Sequence, residues 1–195
     1  MKGNRQSVWK LLAGDWNAYT IVTVLVGAVL FGVLMNYGSI VVFTNTFVTL
    51  AMILDVIVGA LFGPLPAALM AFLGNVFSDF IAQWGFWFDW SIGNAVLAFF
   101  VGLFPFYGAR VKEGVFTAAH AVIFAITSVV GNLVAFGVVT PLLTYALYSQ
   151  ELLITWSQAW NAVLGNAGIQ IVIGVPLLFL MARMVTLQKE EESPR

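Results

Sequence analysis

The 195-residue chain contains no cysteine, a single histidine and only 9% charged residues. Without cysteine there can be no disulfide staple, thiolate metal site or cysteine nucleophile. The lone His120 has no second histidine with which to hold a metal, and its expected role is a hydrogen bond to a neighbouring helix. Eight Lys and Arg against nine Asp and Glu leave a net charge of −1, so the basic field that neutralises nucleic-acid phosphates is missing. No Gly-x-x-x-x-Gly-Lys-Ser/Thr loop, His-Glu-x-x-His or Gly-x-Ser-x-Gly occurs, which excludes the nucleotidase and hydrolase chemistries those motifs carry. Energy for any uphill transport must therefore come from elsewhere, and a self-sufficient proton-coupled carrier with Asp55 in its relay is an alternative reading. An intramembrane carboxylate pair from Asp55 and Asp79 is the remaining catalytic option, but Gly-x-Gly-Asp is absent and the two acids fall at different depths. The chain is therefore read as a non-enzyme with no resident cofactor.

Apolar surface is what the chain has in abundance. Hydrophobic residues make up 61% of it, with a mean hydropathy of +0.97, where soluble domains hold roughly 45–50%. A spanning helix needs about 20 such residues. Six stretches approach that length: 18–37, 47–62 ending at Gly63-Pro64-Leu65-Pro66, 66–81, 91–109, 115–139 before Thr140-Pro141, and 159–185. The expected fold is an all-α integral membrane protein of six transmembrane helices. Residues 1–17 form a cytoplasmic amphipathic segment, 18–185 the membrane domain and 186–195 a charged cytoplasmic tail. Lys and Arg accumulate on the cytoplasmic side of spans. With both termini inside, all eight (Lys2, Arg5, Lys10, Arg110, Lys112, Arg183, Lys189 and Arg195) are cytoplasmic. The exterior segments 38–46, 82–90 and 140–158 have none and carry Asp89 and Glu151.

Polar residues inside the spans are few and patterned. With 18 Gly and 9 Asn, chance predicts roughly one Gly-Asn pair, yet five occur. Four of them, Gly74-Asn75, Gly93-Asn94, Gly131-Asn132 and Gly165-Asn166, fall one in each of spans three to six, in the outer half of the membrane. Such pairs suit helix packing, in which small residues admit a neighbour and amides bond across helices. They equally suit a polar cavity in which four amides converge on a ligand. Asn75 shares a helix face with Asp79, Trp90 with Asn94, and Asn166 with Gln170, each at i, i+4. Trp84, Trp87, Trp90, Trp156 and Trp160 cluster at the outer loops, either as an interfacial belt or as a rigid aromatic lid. The candidate ligand-binding set is Asn75, Asp79, Trp84, Trp87, Trp90, Asn94, Asn132, Trp160, Asn161, Asn166 and Gln170. Asp55, deeper in its span, is read as a packing residue or a proton relay. No Lys or Arg faces the outer half, so a carboxylate or phosphate ligand lacks a counter-ion there and a neutral or cationic one is favoured. Ala28 and Gly32 form a small-x-x-x-small element suited to internal packing or to another subunit.

The order of Ala28-Val-Leu-Phe-Gly-Val33, Phe43-Thr-Asn-Thr46, Leu61-Phe-Gly-Pro64 and Phe72-Leu-Gly-Asn-Val-Phe-Ser-Asp79, followed by the Trp-rich loop, resembles the riboflavin-type S components of energy-coupling factor (ECF) vitamin transporters. Members of that group need not all carry riboflavin, and the likeness extends to its cobalamin-specific members. The resemblance implies a six-helix S component in the cell membrane that captures a vitamin at the extracellular face. It would work with a transmembrane coupling subunit (EcfT-type) and two ATPase subunits (EcfA-type), and topple in the membrane to deliver the ligand inward. By the same resemblance Ala28 and Gly32 contact the coupling subunit. Some members carry histidine where this chain has Asn75, so a histidine-dependent contact is not expected here. A corrinoid is the first expectation for the ligand, since its peripheral amides suit Asn and Gln, and a flavin the second.

Overall fold

The structure, a computed structural model, describes residues 7–43, 46–83 and 85–192. Trp84 of the expected lid lies outside them, as do Lys2, Arg5 and Arg195. A short helix α1 (Val8–Ala13) precedes α2 (Ala18–Tyr37). Asn17 caps α2 by accepting from the Thr20 N–H at 2.9 Å, as a short polar side chain ahead of an apolar run should.

The second expected span divides into two kinds of structure. Strands β1 (Ser39–Phe43) and β2 (Thr46–Thr49) form an antiparallel hairpin, with Ile40 opposite Val48 and Val41 opposite Phe47. β-branched and aromatic residues favour such pairing. The helix that follows, α3 (Ala51–Phe62), has 12 residues, and at 1.5 Å per residue it falls well short of a bilayer core of about 30 Å. Apart from this hairpin the expected all-α membrane architecture is present.

Gly63, at φ +91°, turns the chain into α4 (Pro64–Ala82), whose first residue is a proline that needs no intrahelical partner for an N–H. Helix α5 (Phe88–Val101) follows, then a connection with 3-10 turns at Phe104–Tyr107 and Val111–Glu113. Helix α6 (Ala118–Val134) runs through a π-helical turn, Ala135–Val139, into α7 (Thr140–Tyr148). Helix α8 (Leu152–Ile169) runs likewise through Gln170–Gly174 into α9 (Val175–Glu192).

Thr140-Pro141 therefore does not end the fifth helix, and 140–158 is mostly helical rather than an exterior loop. The reason is local. Pro141 has no N–H for the Gly137 carbonyl four residues back, and the wider π turn absorbs the proline ring. The indole N–H of Trp156 donates to that carbonyl instead, at 3.0 Å. Among the described residues, five helical stretches are long and apolar enough to cross a membrane: Ala18–Tyr37, Pro64–Ala82, Phe88–Tyr107, Ala118–Tyr148 and Leu152–Glu192.

Glycines set the closest helix contacts. A Cβ on Gly32 of α2 would sit 2.9 Å from the Ser78 backbone nitrogen, and one on Gly74 of α4 would sit 2.7 Å from Phe31 Cβ. Ala28 and Gly32 are both buried, so the small-residue element of α2 packs inside the chain, with Gly32 against α4. The bulkier α2 residues Ile21, Leu25 and Val29 face outward, as a lipid-facing stripe must. His120 also departs from expectation. Its Nδ1 accepts from the Thr117 N–H at 3.2 Å and its own N–H donates to Thr117 Oγ1 at 3.4 Å. It closes the N-terminus of its own helix in a capping box, and no described hydrogen bond joins it to a neighbouring helix.

Replacing Gly32 by valine forces backbone apart and is expected to destabilise the protein by about 1–3 kcal/mol, the range for overpacking. A methyl group added at Gly168 would meet nothing within 4 Å, and Gly168→Ala should be neutral or slightly stabilising. Thermal unfolding of the two purified variants in detergent checks the contrast.

Candidate ligand-binding site

The ends of α4, α5 and α8 nearest the β-hairpin enclose a cavity of about 590 Å³. Asn75, Ser78 and Asp79 of α4 line one wall, Trp87 and Trp90 the next, and Met35, Gln150 and Gln158 complete it. No Lys or Arg is among these residues.

Each polar group is positioned by a neighbour. Asn94 donates to Asn75 Oδ1 at 2.9 Å, and Asn75 donates to Ser91 Oγ at 3.0 Å and, more weakly, to Asp79 Oδ2 at 3.5 Å. The Trp87 N–H donates to Asp79 Oδ2 at 2.9 Å, which ties the α4–α5 turn back onto α4. From below, Asn36 of α2 donates to Ser78 Oγ at 2.8 Å. The aromatic wall is braced as well. Trp87 packs on Tyr148 with centroids 4.9 Å apart, and Trp90 on Phe136 at 5.6 Å. Asp89, expected in an exterior loop, is fully buried in the first turn of α5 and accepts from Thr144 Oγ1, pinning α7 to α5. In that first turn a carboxylate also meets the favourable end of the helix dipole.

The four asparagines do not meet in one pocket. Asn75 lies on the cavity and Asn94 directly behind it. Asn132 belongs to a second buried cluster, donating to Gln170 Oε1 at 3.0 Å and to the Ser128 carbonyl at 2.9 Å, while Ser128 Oγ donates to the same Gln170 oxygen. Asn166 is buried on α8, and none of the described hydrogen bonds joins it to either cluster. Close approach and amide pairing involve different neighbours: a Cβ on Gly93 would collide with Thr140 Oγ1 of α7, and one on Gly131 would sit 2.6 Å from Phe100 Cβ of α5. Each of these glycines admits one neighbouring helix while its asparagine bonds another, Asn94 to Asn75 of α4 and Asn132 to Gln170. Trp160 is 51% exposed, and Asn161 donates to the Ser157 carbonyl of its own helix at 3.3 Å. Asp55 is fully buried, with no described hydrogen bond on either carboxylate oxygen and none to Asp79.

Met35, Ser78, Gln150 and Gln158 were not among the expected site residues. Ser78 carried a legible signal, one helical turn from Asn75 and adjacent to Asp79. The two glutamines carried none, because they lie in a stretch whose composition resembles a loop.

An apolar helical bundle holding one polar and aromatic cavity between its helix ends defines a membrane-embedded binding protein. The sequence makes the class specific: residues 15–183 match the ECF-type riboflavin transporter S component family, and the chain belongs to it. A UPF0397 protein of Aliivibrio salmonicida is 31% identical over 170 residues, covering 86% of this chain and 92% of the relative. UPF0397 proteins of Vibrio vulnificus and Vibrio atlanticus are 30% and 29% identical over similar spans, 86% and 87% of this chain and 92% and 93% of theirs. The protein is thus a membrane-integral S component of a transporter, a substrate-specific subunit.

Asn132, which does not line the cavity, is one of two donors to the Gln170 oxygen; Asn132→Ala leaves Ser128 Oγ in place and should cost about 0.5–1.5 kcal/mol of stability, the net worth of a hydrogen bond. Far-ultraviolet circular dichroism melts of the purified variant measure this loss.

Proposed function

We propose that this S component captures a compact, uncharged, ring-bearing vitamin of flavin size at the extracellular end of the bundle. The observation that carries this reading is the cavity of about 590 Å³ lined by two indoles, three amides, one hydroxyl, one carboxylate and no cation. That volume is ordinary for a small-molecule site. The two lining indoles, Trp87 and Trp90, offer stacking surface to a tricyclic flavin ring, and its ribityl hydroxyls and ring amides suit Asn75, Ser78 and Asp79. A corrinoid with its peripheral amides and nucleotide loop is bulkier than a hollow of this size and would have to protrude from its open side, so the flavin is placed ahead of it, against the order expected from residue types alone. A carboxylate vitamin would meet Asp79 without a counter-ion. The family's riboflavin-transporter description agrees with the same choice.

The remaining parts of the reading follow from the family and the charge pattern. Helix α3 with its hairpin completes a six-segment bundle, both termini face the cytoplasm, and a coupling subunit with two ATPases supplies the energy. Contact of the coupling subunit with Ala28 and Gly32 requires α2 and α4 to part, since both residues are buried and Gly32 lies against α4.

Two measurements test this. Tryptophan quenching of the purified chain should report tight riboflavin binding and no cyanocobalamin binding. Trp87→Ala and Asn75→Ala should each weaken it by about tenfold or more, equivalent to about 1.4 kcal/mol, whereas Asn132→Ala leaves affinity unchanged. Preferential cyanocobalamin binding, or indifference to Trp87→Ala, overturns the assignment. For orientation, the cysteine-free background is convenient. A Ser149→Cys variant should react with an impermeant maleimide added to intact cells, and Ser193→Cys only after the membrane is opened.

A further inference from the structure

The opposite end of the bundle holds a second hollow, of about 510 Å³, framed by α1, by the Gly59–Gly63 corner between α3 and α4, and by the connection after α5. Lys10, Arg110 and Lys112 line it together with Asp15 and Glu113. Arg110 is paired: its Nη1 lies 2.9 Å from Glu113 Oε2. Among the described residues neither Lys10 nor Lys112 has a carboxylate within 4.0 Å. Lys112 Nζ lies instead 4.5 Å from the centre of the Phe62 ring, a contact that stabilises a cation only modestly.

The electrostatics of the hollow are unbalanced. Partial burial pushes the Lys112 ammonium below its ordinary lysine value, against a smaller upward pull from Asp15. Once the Arg110–Glu113 pair cancels, two lysines face one aspartate. The surroundings say where this charge sits. Val8 and Trp9 of α1 are 59% and 78% exposed, as in a segment lying along a membrane interface. Tyr19, at the start of α2, packs on the same Phe62 ring with centroids 5.6 Å apart and is itself exposed. The hollow thus adjoins the outward apolar face of α2, where Ile21 and Val22 are exposed.

We propose that this hollow binds a phosphate group between Lys10 and Lys112, and that in the membrane the phosphate is that of an anionic lipid headgroup. The headgroup supplies the close anionic partner that neither lysine has within 4.0 Å among the described residues, and its acyl chains continue along α2 past Tyr19 and Ile21. The site is independent of the vitamin cavity, with which it shares no residue.

Native mass spectrometry of the full-length protein tests this with phosphatidylglycerol, phosphatidylcholine and inorganic phosphate as separate additives. Wild type should retain phosphatidylglycerol over phosphatidylcholine, and the double variant Lys10→Gln, Lys112→Gln should lose that preference by about fivefold per lysine. Lys112→Arg should restore most of it, and Arg183→Gln, at the same end but outside the hollow, should leave it intact. Displacement of the lipid by inorganic phosphate supports the site and assigns it to the soluble anion. Equal retention by wild type and the double variant, or an equal drop in Arg183→Gln, overturns the proposal. Riboflavin binding by the double variant should be unaltered, which separates this outcome from the fate of the other cavity.

Discussion

A carboxamide inside a lipid-embedded bundle must find its hydrogen-bond partner on another part of the protein, because hydrocarbon offers none. The arrangement of this chain follows from meeting that requirement several times over. Asn75 meets Asn94 and Ser91, Asn36 meets Ser78, and Asn132 meets Gln170. These contacts fix α4 against α5, α2 against α4, and α6 against the π turn that begins at Gln170. Glycine admits further close contacts: Gly32 and Gly74 bring α2 and α4 together, Gly93 admits Thr140 against α5, and Gly131 admits Phe100 of α5 against α6. Apolar packing alone could not select these pairings in a bilayer, since lipid tails are as good a surrounding for leucine as another helix is.

The cavity inherits its shape from the same contacts. Asn75 is simultaneously a structural amide, bonded to Asn94, and a wall of the hollow. Asp79 likewise holds the Trp87 backbone while lining the space beside it. Trp87 is thereby held between the turn and Tyr148, which leaves its indole little freedom to lose when a ring stacks on it. The binding wall is rigid because its members are also the groups that assemble the helices.

The class of fold was legible because hydropathy over about 20 residues is a strong signal, and spans one, three and four begin and end within a few residues of their expected bounds. The second segment misled because a run such as Phe47-Val-Thr-Leu-Ala-Met-Ile-Leu54 is apolar but for Thr49, and apolarity does not distinguish strand from helix over so short a stretch. Pro141 misled because a break depends on whether the orphaned carbonyl finds a donor, and that donor, Trp156, is fifteen residues away on another helix. Of the expected site, Asn75, Asp79, Trp87 and Trp90 share the cavity since they lie at helical spacing on two consecutive helices. Asn132, Asn166 and Gln170 depend on how α6 and α8 rotate, which depth along a span cannot report.

That rotation is set by the two π turns. A π turn holds roughly one residue more than the α-helical turn it replaces, so Ala135–Val139 shifts the phase of everything beyond it by about 100°. Removing a single residue there would restore regular winding and swing Thr144 and Tyr148 off Asp89 and Trp87, although neither side chain had changed. Length variation at these five positions is therefore a means of re-aiming Tyr148 and Gln150 against the pocket while its amino acids stay the same.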